Sequence, residues 1–334
     1  MLIKIESHLF EERGSDSLRH MDDIMYTVVD SIHDLYIDDV SILDSNWAKN
    51  ARASLKNLIK SAIKNSKRTS KKPNIFISDN NKIAQKIYNL RNGKIFLTNK
   101  PIFFVENGEN DGNFIKALLF KFNSKKALHL IQNNLIEIKH CGGKHSIRTE
   151  IDRELRKYRT FELDNHNYVR FFVLRDSDKN HAEDDRRKEE ISTIVNYCSE
   201  KNISIHILEK RAIENYLPLN ILEKDNLKID TNILGTLKKL TPEQYDFIDI
   251  SNGFNNKSRD KLGPLFQEES HLSNDDYNIL KNKGVHSNDF NSKKEIPKLF
   301  LDEILTHKML VKRCEHQKEP NELKIVIDKI NSIL

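Results

Sequence analysis

Between residues 101 and 219, four short apolar runs alternate with stretches of helical periodicity, and few folds accommodate that alternation. Pro101–Val105 (PIFFV) leads to a helical pattern near Asp111–Phe120. Leu135–Lys139 leads through CGGKHS to one over Ile147–Tyr158. Tyr168–Leu174 leads to one over Asp184–Cys198, and Ile203–Leu208 to a short one around Ile213–Leu217. Strands alternating with helices of this length predict βαβ units and a mostly parallel sheet. Right-handed crossovers then lay the helices against the sheet faces. The expected fold class is α/β, with a four-stranded, mostly parallel sheet flanked by helices.

The flanking regions read differently. Residues from about Ser15 to Ile63 read as helical, with Leu18, Met21, Ile24, Met25, Val28, Ile32 and Leu35 at helix spacing and a second helix over Trp47–Ile63. KNSKRTSKKP, Lys64–Pro73, reads as a basic loop, Asn74–Ser78 as a short strand, Asp79–Leu90 as a helix and KIFL at 94–97 as a further short strand. After Pro218 the strand signal disappears, and residues 220–334 read as several short helices broken by polar turns. Three regions result: 1–100, mostly helical with short strands; 101–219, the α/β unit; and 220–334, helical.

No apolar stretch approaches the ~20 residues of a membrane span. The first residues, MLIKIESHLFEERGSD, lack the apolar core and cleavage site of a signal peptide. Cys141, Cys198 and Cys314 are too few and too widely spaced for a disulfide framework. These features predict a cytoplasmic protein with no membrane contact. The net charge of +5, from 55 basic and 50 acidic residues, permits nucleic-acid binding without arguing for it. Basic segments at Lys64–Lys72 and at residues 148–159 (RTEIDRELRKYR) could follow a phosphate backbone, although charge runs are usually solvated faces.

In open α/β sheets, ligands bind at the carboxyl ends of the strands. Acidic residues stand where these runs end: Glu106 after the first, Asp176 and Asp178 after the third, Glu214 just after the fourth. Asp111 falls at the first turn of the next helix, where it also suits a cap. With 50 acidic residues in 334, an acidic-x-acidic triplet arises by chance, so position rather than the motif singles out Asp176 and Asp178. A strand that simply ends where polar residues begin looks the same. Converging carboxylates favour a hard divalent cation, Mg2+ or Mn2+, and such a cation suits phosphodiester chemistry. Gly142 and Gly143 let backbone approach another group closely, and Lys144 beside them could meet a phosphate; a plain βα turn explains them as well. His140, Cys141 and His145 fit no ordinary zinc spacing. Lys210, in LEKRAIENYL, is placed to neutralise charge developing at phosphorus or on the leaving group, and a surface helix start would show the same composition.

Taken together, these residues resemble a Toprim domain: Glu106 after the first strand, a Gly turn at Gly142–Gly143 after the second, and Asp176-Ser177-Asp178 after the third. KRAIENYL after the fourth strand is similar to the signature of Toprim nucleases of the overcoming-lysogenization-defect (OLD) type. It is also similar to Toprim nuclease subunits of anti-phage systems that pair with an ABC-type ATPase. Two positions differ: Asn107 stands where the family has Gly, and the second acid is Asp111, one residue later than usual. The resemblance implies a Mg2+-dependent endonuclease acting in bacterial defence, on DNA in preference to RNA. It implies that Glu106, Asp176 and Asp178 hold the main metal, that Asp111 and Glu214 support a second, and that Lys210 assists catalysis. With no Walker motif in the chain, it implies a separate ATPase partner, and an oligomer is compatible with it. An RNase toxin cutting tRNA, a catalytically silent Toprim-like interaction module, and a helical adaptor carrying a generic α/β domain are the alternatives.

Overall fold

The computed structural model describes residues 1–158, 165–267 and 271–334. Arg159, the last residue of the second basic segment, lies outside the described residues. The chain builds two four-stranded sheets, and every strand pairing within them is parallel.

The first sheet comprises β1 (Leu2–Ile5), β2 (Asp34–Tyr36), β3 (Ile75–Ile77) and β4 (Ile87–Tyr88), in the order β2-β1-β3-β4. Helices α1 (Ser15–Val29), α2 (Asn46–Asn50), α3 (Ala53–Ser66) and α4 (Leu90–Thr98) accompany it. The expectation of a mainly helical region is corrected here in three places. Asp34–Tyr36 interrupts the helical reading between Ser15 and Ile63. Asp79–Leu90 holds a short 3-10 turn and β4 rather than a helix. KIFL is helical: Asn89 caps α4 by accepting the N–H of Asn92 at 2.9 Å, and Leu90, Phe96 and Leu97 turn into the core.

The second sheet comprises β5 (Ile102–Val105), β6 (Glu137–His140), β7 (Phe171–Arg175) and β8 (Ser204–Ile207), in the order β6-β5-β7-β8. Its side chains alternate as a period of two requires. Phe103, Val105, Phe172 and Leu174 enter one core, while Ile102, Phe104, Phe171 and Val173 enter another. The second core is closed by α7 (Ile147–Arg156) and α8 (Lys188–Glu200). The first is closed by α5 (Asn110–Lys121), α6 (Lys125–Gln132) and the helices that follow residue 219, in one continuous apolar cluster. The helix Glu322–Ile333 packs on α5, β7 and β8.

The two sheets meet at one end. Arg170, just before β7, donates to the carbonyls of Leu97 and Asn99, and Tyr168 sits in the core of the first sheet. The N-terminal unit thus touches the amino ends of β5 and β7 and leaves their carboxyl ends free. No helix among the described residues is long and apolar enough to cross a membrane.

Candidate active site

The carboxyl ends of β5 and β7 and the turn after β8 bring five carboxylates into one another's fields. Glu106 follows β5 directly, and Asp176 and Asp178 follow β7. Glu214 comes from the 3-10 turn Ile213–Tyr216. Asp111 lies in the first turn of α5. Asn107 Oδ1 accepts the N–H groups of both Glu109 and Asn110 at the turn that enters α5. Asn110 then faces outward and donates to the carbonyl of Lys293, while Asp111 is buried and accepts the N–H of Asn107 at 2.9 Å.

The electrostatics record the crowding. Burial, with repulsion from Asp178, pushes Glu106 up to about 7 against the pull of Arg175. Burial pushes Asp111 up to about 7 despite its hydrogen bond from Asn107, and Glu214 adds to the rise. Asp176 is raised well above the usual carboxylate range by burial and then by Asp111, Glu214, Glu106 and Asp178 together. Glu214 is raised by burial, with Asp249 adding repulsion. Asp178 goes the other way. Burial would raise it, but the hydrogen bond and charge of Lys144, aided by Arg211 and Arg187, hold it below its ordinary value.

Two cations neutralise part of this charge. Lys144 Nζ donates to Asp178 Oδ2 at 2.8 Å and lies 3.7 Å from Glu190. Arg175, nearly fully buried, pairs with Glu190 and lies 3.7 Å from Glu106 Oε1. That oxygen is buried and has no hydrogen-bond partner. Arg175 and Glu190 were not among the residues expected from sequence; the signal for Arg175 was a lone cation closing the most apolar strand. The ammonium of Lys144, expected to meet a phosphate, is held here by a carboxylate.

Gly142 and Gly143 have φ of 74° and 121°, and a Cβ at either would meet nothing within 4 Å. Their necessity is therefore the left-handed turn, and not the close backbone approach expected from sequence. Close approach belongs to Gly108 instead, where a Cβ would stand 2.9 Å from that of His140.

The structure does not bring Lys210 to the carboxylates. Its backbone carbonyl accepts from Ser177 Oγ at 2.7 Å, next to Asp178, but its side chain turns the other way. There the ammonium donates to Asp246 at 2.6 Å and to the carbonyl of Arg313 at 3.0 Å. The expected catalytic position of Lys210 is corrected on this ground: a nearly fully buried cation has taken a buried partner.

The donor set is all oxygen, mutually repelling, and includes one buried unpartnered atom, which suits a hard divalent cation. Among the described residues, no three acidic, histidine or cysteine side chains stand together as a metal-holding group in their present conformations. Without a metal these raised carboxyls subtract stability as pH rises. Glu106 and Asp111 have folded pKa values near 7, above their unfolded values, so between about pH 4 and 7 the folded state binds more protons than the unfolded state. Their penalty is absent below that window and fully present above it. Glu106→Gln should remove part of this loss, so in EDTA its melting temperature should gain on the parent's between pH 5 and pH 8. No protein-family model, curated protein or solved structure matches the chain, so the chemistry must be read from these residues.

Proposed function

We propose that this chain is a Toprim-type phosphodiesterase that hydrolyses nucleic acid with Mg2+ or Mn2+. The observation that carries the proposal is that Glu106, Asp111, Asp176, Asp178 and Glu214, drawn from separate segments at the carboxyl end of the second sheet, lie close enough to act on one another's charge. Packing like charges together costs stability, and a divalent cation relieves that cost. The order of the sequence elements, with the glutamate, the Gly turn, the DxD and IENYL following β5, β6, β7 and β8 in turn, supports the same reading.

Glu106, Asp176 and Asp178 would hold the main ion, with Asp111 and Glu214 toward a second. When bound, such ions supply charge stabilisation at phosphorus and an activated water. The chain's own residues do the rest. Glu106, whose buried Oε1 accepts no hydrogen bond within the protein, is suited to hold the ion and orient the attacking water. Lys144 leaves Asp178 for a phosphate oxygen of the substrate, and Arg175, 3.7 Å from Glu106, offsets part of its charge.

Incubating the purified chain with plasmid DNA and with total RNA, in EDTA and in Mg2+ or Mn2+, is the test. Cation-dependent cleavage lost in Glu106→Gln is expected, DNA being the preferred polymer. Cleavage indifferent to EDTA would overturn the proposal, as would none of either polymer with either cation. One observation favours a second reading, a catalytically silent module: Lys144 already neutralises Asp178 at 2.8 Å. In that case Mn2+ should leave the melting temperature unchanged. The role in anti-phage defence, under control of a separate ABC-type ATPase, is proposed on the sequence resemblance alone. Failure to recover an ATPase with the tagged chain from its host would count against it.

A further inference from the structure

We propose that a single strand of nucleic acid lies, backbone inward, in the groove between the amino-terminal turns of α7 and α8. This rests on the phosphodiesterase reading above and names where its substrate runs. The groove has a volume of about 380 Å³, and four cations, Lys144, Arg148, Arg175 and Arg186, line it against Glu189 and Glu190. Two of these cations, Lys144 and Arg175, are the ones that hold Asp178 and Glu106. The groove is therefore continuous with the carboxylates, and a backbone resting on it would deliver a phosphate to them.

The two outer cations are fixed and exposed. Arg186 is oriented by two hydrogen bonds of 2.8 Å to Asp184, while its side chain remains 57% exposed. Arg148 lies 4.8 Å over the ring of Tyr197 and has no carboxylate partner among the described residues. Tyr197 is itself held by its hydroxyl, which donates to Asp152 at 2.6 Å. Arg148 is thus pre-oriented but not neutralised, which suits phosphate contact, while Arg186 keeps Asp184 as its partner and presents its exposed side. A volume of about 380 Å³ is that of a small-ligand site, room for a short stretch of a single backbone. No aromatic ring lines the groove among the described residues, Tyr197 being covered by Arg148. Bases then have no stacking platform there, and contact is confined to the backbone, without sequence preference.

Fluorescence anisotropy with labelled 20-mers in EDTA tests this on the full chain, separately from cleavage. The probes are mixed-sequence single-stranded DNA, single-stranded RNA and duplex DNA, each measured over a range of salt. Single strands of both sugars should bind more tightly than duplex. Arg148→Ser should lower the salt slope by ~0.7, the loss of one phosphate contact on a single strand, and Arg148→Ser/Arg186→Ser by about twice that, with affinity falling about tenfold or more. Arg148→Lys should restore most of the slope. Lys71→Ser/Lys72→Ser, in the exposed loop before β3, should bind as the parent does. Arg148→Ser breaks no ion pair, so its melting temperature should match the parent's and its binding remain interpretable. If Arg148→Ser and the double variant bind with the parental slope, the groove is not the track; cation-dependent cleavage in the same preparation would leave the phosphodiesterase reading standing. Tighter binding of duplex would also overturn the proposal. If the parent neither binds nor cleaves any polymer, the underlying reading falls, and this inference with it.

Discussion

Replacing Asp176 by asparagine is expected to lower cleavage by at least about a thousandfold, on the order of 4 kcal/mol in the barrier. The substitution is nearly isosteric. Asp176 Oδ1 accepts the N–H of Ile213 at 3.1 Å, and an asparagine oxygen can accept the same bond, so the turn carrying Glu214 should stay in place. What is lost is the charge, at the position every other acid of the cluster acts upon. A carboxylate that holds a cation supports both the attacking and the leaving oxygen, which explains the size of the expected effect. Stability should move the opposite way. In EDTA the variant should melt at or above the parent's temperature, because the cost of burying an acid among four others at that position is gone. In Mg2+ the parent should gain more than the variant. Single-turnover cleavage and melting curves, each in EDTA and in Mg2+, measure all four quantities. Cleavage unchanged by Asp176→Asn would rule out the site described here, whatever the stability result.

Asp246→Ala is expected to be the most destabilising of the substitutions considered, by about 3–5 kcal/mol, the cost of breaking a buried ion pair from one side. Asp246, in the helix Pro242–Phe247, is 3% exposed. It accepts from Lys210 at 2.6 Å, from Arg313, and from His316 at 2.8 Å. Alanine leaves Lys210 and Arg313 without their carboxylate, one of them almost wholly buried. Lys210→Met should cost much less, because Arg313 and His316 continue to satisfy Asp246 and the methionine fills a similar volume. Urea denaturation of the two variants distinguishes this from a catalytic role for Lys210. A catalytic lysine would give the reverse pattern: Lys210→Met with parental stability and no turnover.

The second sheet was legible because its two central strands, β5 and β7, are apolar runs buried on both faces and bounded by polar turns, with the half-buried β6 and β8 at its edges. Residues 102–105 alternate between two cores, and nothing in that alternation conflicts with the local composition. The first sheet was mostly illegible for the opposite reason. Its strands, LIKI, DLY, IFI and IY, are too short for a period of two to register. KIFL misled because a short apolar run fits a buried strand or a buried helix face equally well, and the Asn89 cap decides between them. In the site, the strand-end acids were legible from position. Where long cations point was not. Arg175 and Lys210 sit beside the acidic turns in sequence and Lys144 beside the Gly turn, but burial and the nearest available carboxylate fixed their directions, and those partners lie 15 to 36 residues away.

The last long helix has a consequence for the order in which the molecule can be made. Glu322 is wholly buried, and its carboxylate accepts from the N–H of Glu209 at 2.7 Å, from His206 at 2.9 Å and from the hydroxyl of Tyr216. The segment that carries Glu214 is thus fastened by a residue more than a hundred positions downstream. During synthesis the four strands of the second sheet leave the ribosome well before that fastening exists. Closing so long a loop is entropically slow, and until it closes the apolar face bearing Phe103 and Leu174 lacks part of its cover. Assembly of the acidic cluster therefore waits for the synthesis of Glu322, so that a nascent chain carries the ingredients of the site long before it carries the site.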